Sequence, residues 1–531
     1  MLHQTLNRER IAMKTDYPLQ VLGCGACHVS RRSFLASCAA CAAAWPSWAT
    51  PARAAAEAKK LRIRVAFSHP TPDKITWPNV GYDYEGRSKE LVRQLGKLCP
   101  DIEFHPVHIL NADQAKQVMA QDSQANGYLL YVLGMGGGAA ALAGAAGQAG
   151  RPMVVVEDHY GGPFSLGFNG RAAKAGWKAV CLATSRLQDV ADAVNCFRVL
   201  QKPGATTEDF LAAAQATCKK NLAAPGDLTC RPDKVTVSDV GDCVKKLRAS
   251  KILLVGRDAG PQAKTIADEF GIQVLSLKTT ELHEAFAQAA PATAARWAER
   301  WISGAEKVIE PAREEIVKSG AMHVGMEQLL KRYNAQAISI NCLGGFYNGQ
   351  LQAFPCLGFV ELNNSGLVGA CEGDLPSTVT MLAMGYLVGR PGFISDPVID
   401  TAKNQIIYAH CVAPTKVFGP QGEGNPYHIR SHSEDRKGAA VRSLLPLGYL
   451  TTTLKFLPGR REVIVHQGKA VANIDDDRAC RTKLACEVTG DIERLFGQWS
   501  HGWHRVTYYG DLRQPLTDLC HALKIKVTEE A

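Results

Sequence analysis

Residues 127–147, GYLLYVLGMGGGAAALAGAAG, form twenty-one consecutive positions without a charge. The length suggests a membrane span, but seven of the residues are Gly and many of the rest Ala, so transfer into lipid gains little. The segment reads instead as a buried strand at 128–133, a glycine turn, and a small-residue helix packed closely on a sheet. Toward the N-terminus, 61–67 is a first strand, followed by a Pro- and Gly-rich loop and a helix near 88–98. Toward the C-terminus, 153–156 is another continuous apolar strand, with helical segments through 187–200. A second unit repeats the pattern, with a helix at 207–221, a strand at 251–256, a helix to 270 and a strand at 272–277. Strand, glycine turn, helix and strand in that order make a βαβ unit and a parallel sheet covered on both faces. A helical stretch at 280–333, broken near Pro291 and Pro311, leads into the last third.

From Ala337 the texture changes to short β-rich segments at 338–342, 359–362, 393–395, 406–410, 448–456 and 504–509. The expected fold is α/β: two Rossmann-like parallel α/β domains followed by an α+β C-terminal domain with a largely antiparallel sheet. The expected boundaries are a signal segment at 1–56, an N-terminal α/β domain at 57–200, a second α/β domain with connecting helices at 201–335, and a C-terminal domain at 336–531. The length of 531 residues agrees with about three domains at roughly 150 residues each.

Composition narrows the function. The net charge is +9, but residues 1–54 hold six Lys/Arg against two Asp/Glu, leaving 54 basic against 49 acidic residues in the remainder. With no basic cluster interleaved with aromatics, nucleic acid is not an expected partner. Ser30-Arg31-Arg32-Ser33-Phe34-Leu35, an Ala-rich apolar stretch to Ala49 and small residues around Ala54 have the order of a twin-arginine export signal. The expectation is a periplasmic protein that meets the Tat translocon as a folded chain. Cys24-Gly25-Ala26-Cys27-His28 has haem-attachment spacing and Leu35-Ala36-Ser37-Cys38 resembles a lipobox, but the first would be lost on cleavage and the second lacks an apolar region before it. Thirteen cysteines remain beyond this segment, without zinc-ribbon spacing, and most are expected to be buried small hydrophobes.

Two chemistries compete. Gly134-Met135-Gly136-Gly137-Gly138 follows a strand, opens a helix, and has Glu157-Asp158 about twenty residues on, the arrangement of a dinucleotide site. Against an exported nicotinamide oxidoreductase stand the GxGGG spacing and the turn's position away from the first strand. The stronger signal is Ala370-Cys371-Glu372-Gly373-Asp374-Leu375-Pro376-Ser377-Thr378 ahead of an apolar helix at 379–388. Pro376 suits a first helical turn and Asp374 its cap, so Glu372, held by a turn, is the residue free to point into a cleft. Twenty-four residues later Asp396 is expected to end the strand 393–395, and the returning strand closes on His410-Cys411.

The run ACEGD, an apolar helix, Gly389-Arg390-Pro391, Phe393, Asp396 and a strand ending in His410-Cys411 resembles the metal-binding region of the L-fucose isomerase family. MEQLLKRYNAQAISINC at 326–342 is similar to the segment entering that family's C-terminal domain, and Gly502-Trp503-His504 before Val506-Thr507-Tyr508-Tyr509 to its closing histidine strand. The resemblance covers residues 300–531. It implies a divalent metal, usually Mn²⁺, held by Glu372, Asp396 and His504, with the two carboxylates also shuttling a proton during aldose–ketose isomerisation through an ene-diol. Two carboxylates and one imidazole with open positions suit Mn²⁺ better than a closed zinc site. His501 is a rival to His504. His410, His432, Asn341 and Trp503, with His428, are the candidates for sugar contact. The resemblance further implies a homo-oligomer in which neighbouring subunits complete the site. The expected function is a metal-dependent ketol-isomerase, with a noncatalytic exported carbohydrate-binding protein as the alternative.

Overall fold

The computed structural model describes residues 60–531, and the export-signal expectation lies outside them. Leu61–Ser68 (β1), Ile102–Ile109 (β2), Gly127–Val132 (β3), Met153–Glu157 (β4) and Ala179–Leu182 (β5) form an all-parallel sheet in the order β2-β1-β3-β4-β5. β3 and β4 are buried along their whole length, as continuous apolar runs in a doubly covered sheet require. Lys251–Val255 (β6) and Gln273–Leu277 (β7) begin a second parallel sheet. After the short Lys307–Val308 (β8), Ala337–Ile340 (β9) and Val368–Ala370 (β10) complete it in the order β10-β9-β6-β7. The antiparallel placement expected for 338–342 is therefore corrected: those residues pair parallel to β6. The strand expected at 359–362 is also corrected, because Cys356–Asn364 is a helix, buried on nearly every side. An apolar run without polar alternation does not distinguish a buried strand from a buried helix.

The remaining strands are Phe393–Asp400 (β11), Gln405–His410 (β12), Tyr427–Arg430 (β13), Ala440–Ser443 (β14), Leu450–Leu457 (β15), Glu462–Asn473 (β16), Thr482–Val488 (β17), Arg505–Tyr509 (β18) and Lys526–Glu529 (β19). β13 and β14 make a small sheet with β8. Antiparallel pairing runs β15-β18-β11-β12-β17-β16, and β15 pairs back to β16, so six strands close into a barrel with β19 added to β16. Closure removes the open edges that an antiparallel sheet of this size would otherwise expose. One apolar core joins the second parallel sheet, through Leu253 and Ile338, to the barrel, through Leu454 and Val506. Among the described residues no helix is long and apolar enough to cross a membrane.

The glycine turn after β3 is a packing device. A Cβ at Gly134 would meet the Tyr84 hydroxyl at 2.7 Å, and one at Gly138 the Asn111 carbonyl at 2.5 Å. The first helical N–H, that of Ala139, donates to Ser68 Oγ at 2.9 Å. Glu157 accepts from the backbone of Phe164 and Ser165, and Asp158 holds Arg87. Close packing and turn formation thus account for the residues that suggested a dinucleotide site.

Candidate metal centre

β10 ends at Ala370, and the chain turns through Cys371, Glu372 and Gly373 into the helix Leu375–Val388. Glu372 and Gly373 take φ of +60° and +63°. The left-handed region costs a non-glycine residue of order 1 kcal/mol and is held where surrounding structure dictates it. Asp374 caps the helix as expected, accepting from Ser377 N at 3.0 Å and from Ser377 Oγ at 2.7 Å. The turn directs Glu372 away from the helix axis and toward the barrel.

Three neighbouring barrel strands supply the rest. Ser395 on β11 pairs with Arg505 on β18, and Asp396 pairs with Ala409 on β12. The next rungs therefore bring His504 and His410 beside Asp396. Asp396 lies inside β11, which continues through Pro397 to Asp400, so the expectation that it ends its strand is corrected. Its side of the strand, and not a chain end, aims it into the site.

Ligand atoms of Glu372, Asp396, His410 and His504 all lie within 4.8 Å of one another. His504 Nε2 is 3.2 Å from Asp396 Oδ1 and 3.5 Å from Glu372 Oε2. His410 Nε2 is 3.6 Å from Glu372 Oε1. Asp396 Oδ1, His410 Nε2 and His504 Nε2 are buried without any hydrogen-bond partner. Such orphaned polar atoms are costly, and Asp396 Oδ1 with His504 Nε2 fits a cation held beside both.

The hydrogen bonds assign the imidazole tautomers. His504 Nδ1 lies 3.0 Å from Asp374 Oδ2, which accepts its proton and leaves the Nε2 lone pair facing Glu372 and Asp396. A carboxylate behind a ligating imidazole is the usual way a metal-binding histidine is oriented. Lys455 Nζ, 3.0 Å from the same Asp374 oxygen, fixes that carboxylate in turn. His410 is the opposite case. Its Nδ1 accepts from Cys411 N at 2.9 Å, so Nε2 carries the proton and faces the site as a donor. The geometry thus places Glu372, Asp396 and His504 as the set that can hold a divalent ion, with His410 beside it as a hydrogen-bond donor.

Burial opposes charge throughout the cluster, yet the partners prevail. Burial alone lowers the pKa of His504, but Asp396, Glu372 and Asp374 carry it well above its ordinary value. Burial likewise opposes ionisation of Asp374, and Lys455 and His504 hold it well below the usual carboxylate range. Glu372 is held below its ordinary value, against burial, by His504 and His410.

The other sequence candidates are dispersed. Asn341 follows β9 as the N-cap of the next helix and donates to the Gly256 carbonyl at 3.4 Å. Trp503 packs edge-on against Trp77 with ring centroids 5.0 Å apart, and its Nε1 is buried without a partner. His432 is buried, with Nδ1 3.0 Å from Asp435 Oδ1, and lies outside the cluster. His428 approaches Glu306 at 3.4 Å, and His501 takes φ of +63° outside the cluster. Asp374 and Lys455 are the members of the site's support that the sequence did not single out for it. The sequence marks Asp374 as a helix cap only, and Lys455 lies 81 residues away in the chain.

Two parallel α/β layers and a closed barrel, with a buried carboxylate–imidazole cluster between the second layer and the barrel, define the class of protein. No protein-family model matches the chain. The chain is similar to the sulfoquinovose isomerase of Alkalicoccus urumqiensis, 25% identical over 258 residues, 45% of this chain and 57% of that protein. It is similar also to the sulfoquinovose isomerase of Clostridium sp. (strain MSTE9), 24% identical over 318 residues, 54% of this chain and 66% of that protein. A third relative, the sulfoquinovose isomerase of Priestia aryabhattai, is 23% identical over 262 residues, 48% of this chain and 57% of that protein. The chain spans less than two thirds of the length of each of these relatives.

Proposed function

We propose that this chain is a divalent-metal-dependent aldose–ketose isomerase acting on a sugar. The observation that carries the reading is the convergence of Glu372, Asp396 and the Nε2 of His504, with Asp374 on the far nitrogen of that imidazole. Hard oxygen donors with a single imidazole suit Mn²⁺. A bound ion would polarise the two substrate oxygens on which an ene-diol is built. The chain's own carboxylates do the rest: Glu372 and Asp396 have oxygens within 4.8 Å of each other, so one can take the C2 proton and return it to C1. His410, with its N–H aimed into the site, is placed to donate to a sugar oxygen.

The names of the relatives make sulfoquinovose the first sugar to assay, alongside neutral aldoses. The twin-arginine pattern at Arg31-Arg32 supports export to the periplasm of a chain already folded around its metal, and the resemblance of the last third supports a homo-oligomer. Glu372→Gln removes the charge and the proton carrier while keeping the shape. Ketose formation should fall by at least 100-fold, with the circular dichroism spectrum unchanged. Wild-type turnover in that variant would end the reading.

A further inference from the structure

Beyond the ligand set, one buried acid near the site has no assigned role. Glu434 is 4% exposed and makes no ion pair with lysine or arginine among the described residues. Its Oε2 accepts from the Tyr347 hydroxyl at 3.0 Å. Burial raises its pKa to about 7 against the opposing charge of His432, so below neutral pH it stands as an acid able to donate.

Two anchors tie the segments that carry this pair to the segments that carry Glu372 and His410. Tyr347 ends the short helix Cys342–Tyr347, whose first residue has its Sγ 3.1 Å from that of Cys371, the residue before Glu372. Glu434 follows Ser433, whose Oγ is 3.9 Å from Sγ of Cys411, the residue after His410. The Tyr347–Glu434 bond therefore joins two segments, each fastened to a neighbour of a cluster residue. The charge of Glu372 acts on both Glu434 and Tyr347. Backbone hydrogen bonds hold the loop: Val80 N donates to the Glu434 carbonyl at 2.8 Å, and His432 N to the Lys437 carbonyl at 2.7 Å. A loop packed this closely has no need of a buried acid, since an amide would accept the same hydrogen bond from Tyr347.

We propose that Glu434, steadied by Tyr347, carries the hydroxyl proton of the isomerisation, a role separate from the carbon-bound proton moved by Glu372 and Asp396. The proposal rests on the isomerase reading. An aldose has a carbonyl at C1 and a hydroxyl at C2, and a ketose the reverse, so one proton must go from C2 to C1 and another from O2 to O1. When the C2 proton leaves and charge gathers on O1, Glu434 gives its proton to O1 and becomes a carboxylate, with the Tyr347 hydroxyl still donating to Oε2. When C1 takes its proton and the C2 carbonyl forms, Glu434 recovers the proton leaving O2. The acid ends as it began, and no further reactant is consumed.

The test separates the two protons. In deuterium oxide with Mn²⁺ and sulfoquinovose or a neutral aldose, the wild type should exchange the C2 hydrogen and form ketose. Glu434→Gln should bind Mn²⁺ with unchanged affinity, melt at the wild-type temperature and still exchange the C2 hydrogen, while ketose formation falls about 100-fold. Glu434→Asp should recover part of that loss, and Tyr347→Phe, at a half-exposed position, should lose about tenfold. Ketose formation by Glu434→Gln at the wild-type rate, or loss of Mn²⁺ binding along with turnover, overturns the proposal and leaves the isomerase reading standing. If the wild type neither exchanges nor isomerises any sugar in the panel, both fall together.

Discussion

At the scale of single residues, the site depends on which nitrogen of each imidazole is free. His504 and His410 are chemically identical and are both buried against Glu372, yet Asp374 claims Nδ1 of the first and the Cys411 N–H claims Nδ1 of the second. One ring therefore offers a lone pair and the other a proton. Asp374 holds two roles that a single substitution can separate. Asn caps helices as well as Asp does, so Asp374→Asn should leave the helix Leu375–Val388 in place. It removes the charge that orients His504 and pairs with Lys455, and Mn²⁺ affinity should drop by about 10- to 100-fold. Calorimetric titration checks this, and unchanged affinity would show that Asp374 serves the helix alone.

The three ligand candidates came from the resemblance of the last third, in which each has a local frame: Glu372 before a capped helix, Asp396 in an apolar strand, His504 at the head of another. Their supports were not legible, since a lysine 81 residues downstream of Asp374 leaves no local trace beside it. Glu434 and Tyr347 leave no local trace for the same reason. An acid in a polar loop, SHSED, reads as solvated until packing buries it.

Among elements, the glycine turn between β3 and its helix shows how one motif supports two readings. Gly137 has φ of +76°, and a Cβ there would lie 2.8 Å from both the N and the O of His69. Backbone cannot yield as a side-chain tip can, so Gly137→Ala should cost about 2 kcal/mol in chemical denaturation, with Mn²⁺ binding intact. Unchanged stability would reopen the question of what the glycines are for. Elements with strong periodicity or clear punctuation were legible, including β1, the helix Thr207–Lys220 with its Thr206 cap, and the helices broken at Pro291 and ahead of Arg313. The helix Cys356–Asn364 was not, because its sequence, CLGFVELNN, shows no polar face when the element is enclosed on nearly every side. β2 and the helix Ala112–Gln121 were also missed: polar residues break the apolar pattern of an edge strand.

For the whole molecule, the metal should act as part of the fold. Without metal, His504 has a raised pKa, so its protonated form stabilises the native state at low pH, and that contribution fades as pH rises through the folded value. An ion at Nε2 must displace this proton, so apparent affinity rises with pH while the metal-free protein loses stability. The gap in melting temperature between Mn²⁺-loaded and chelator-treated protein should therefore widen from mildly acidic to mildly alkaline pH. The loaded form should gain about 2.7 kcal/mol when free metal is 100 times its Kd. A gap that narrows with pH would remove His504 from the ligand set.

The sequence by itself determined the two parallel layers and a largely antiparallel sheet in the last third, because strand and helix periods, caps and turns are written over a few neighbouring positions. Only the tertiary structure decided that β9 and β10 complete the second parallel sheet, that six strands close on themselves, and that Asp374, Lys455 and Glu434 stand where they do. Those outcomes depend on pairing between segments tens to hundreds of residues apart, where the free energy lies in shared burial and register and leaves no mark on either segment alone.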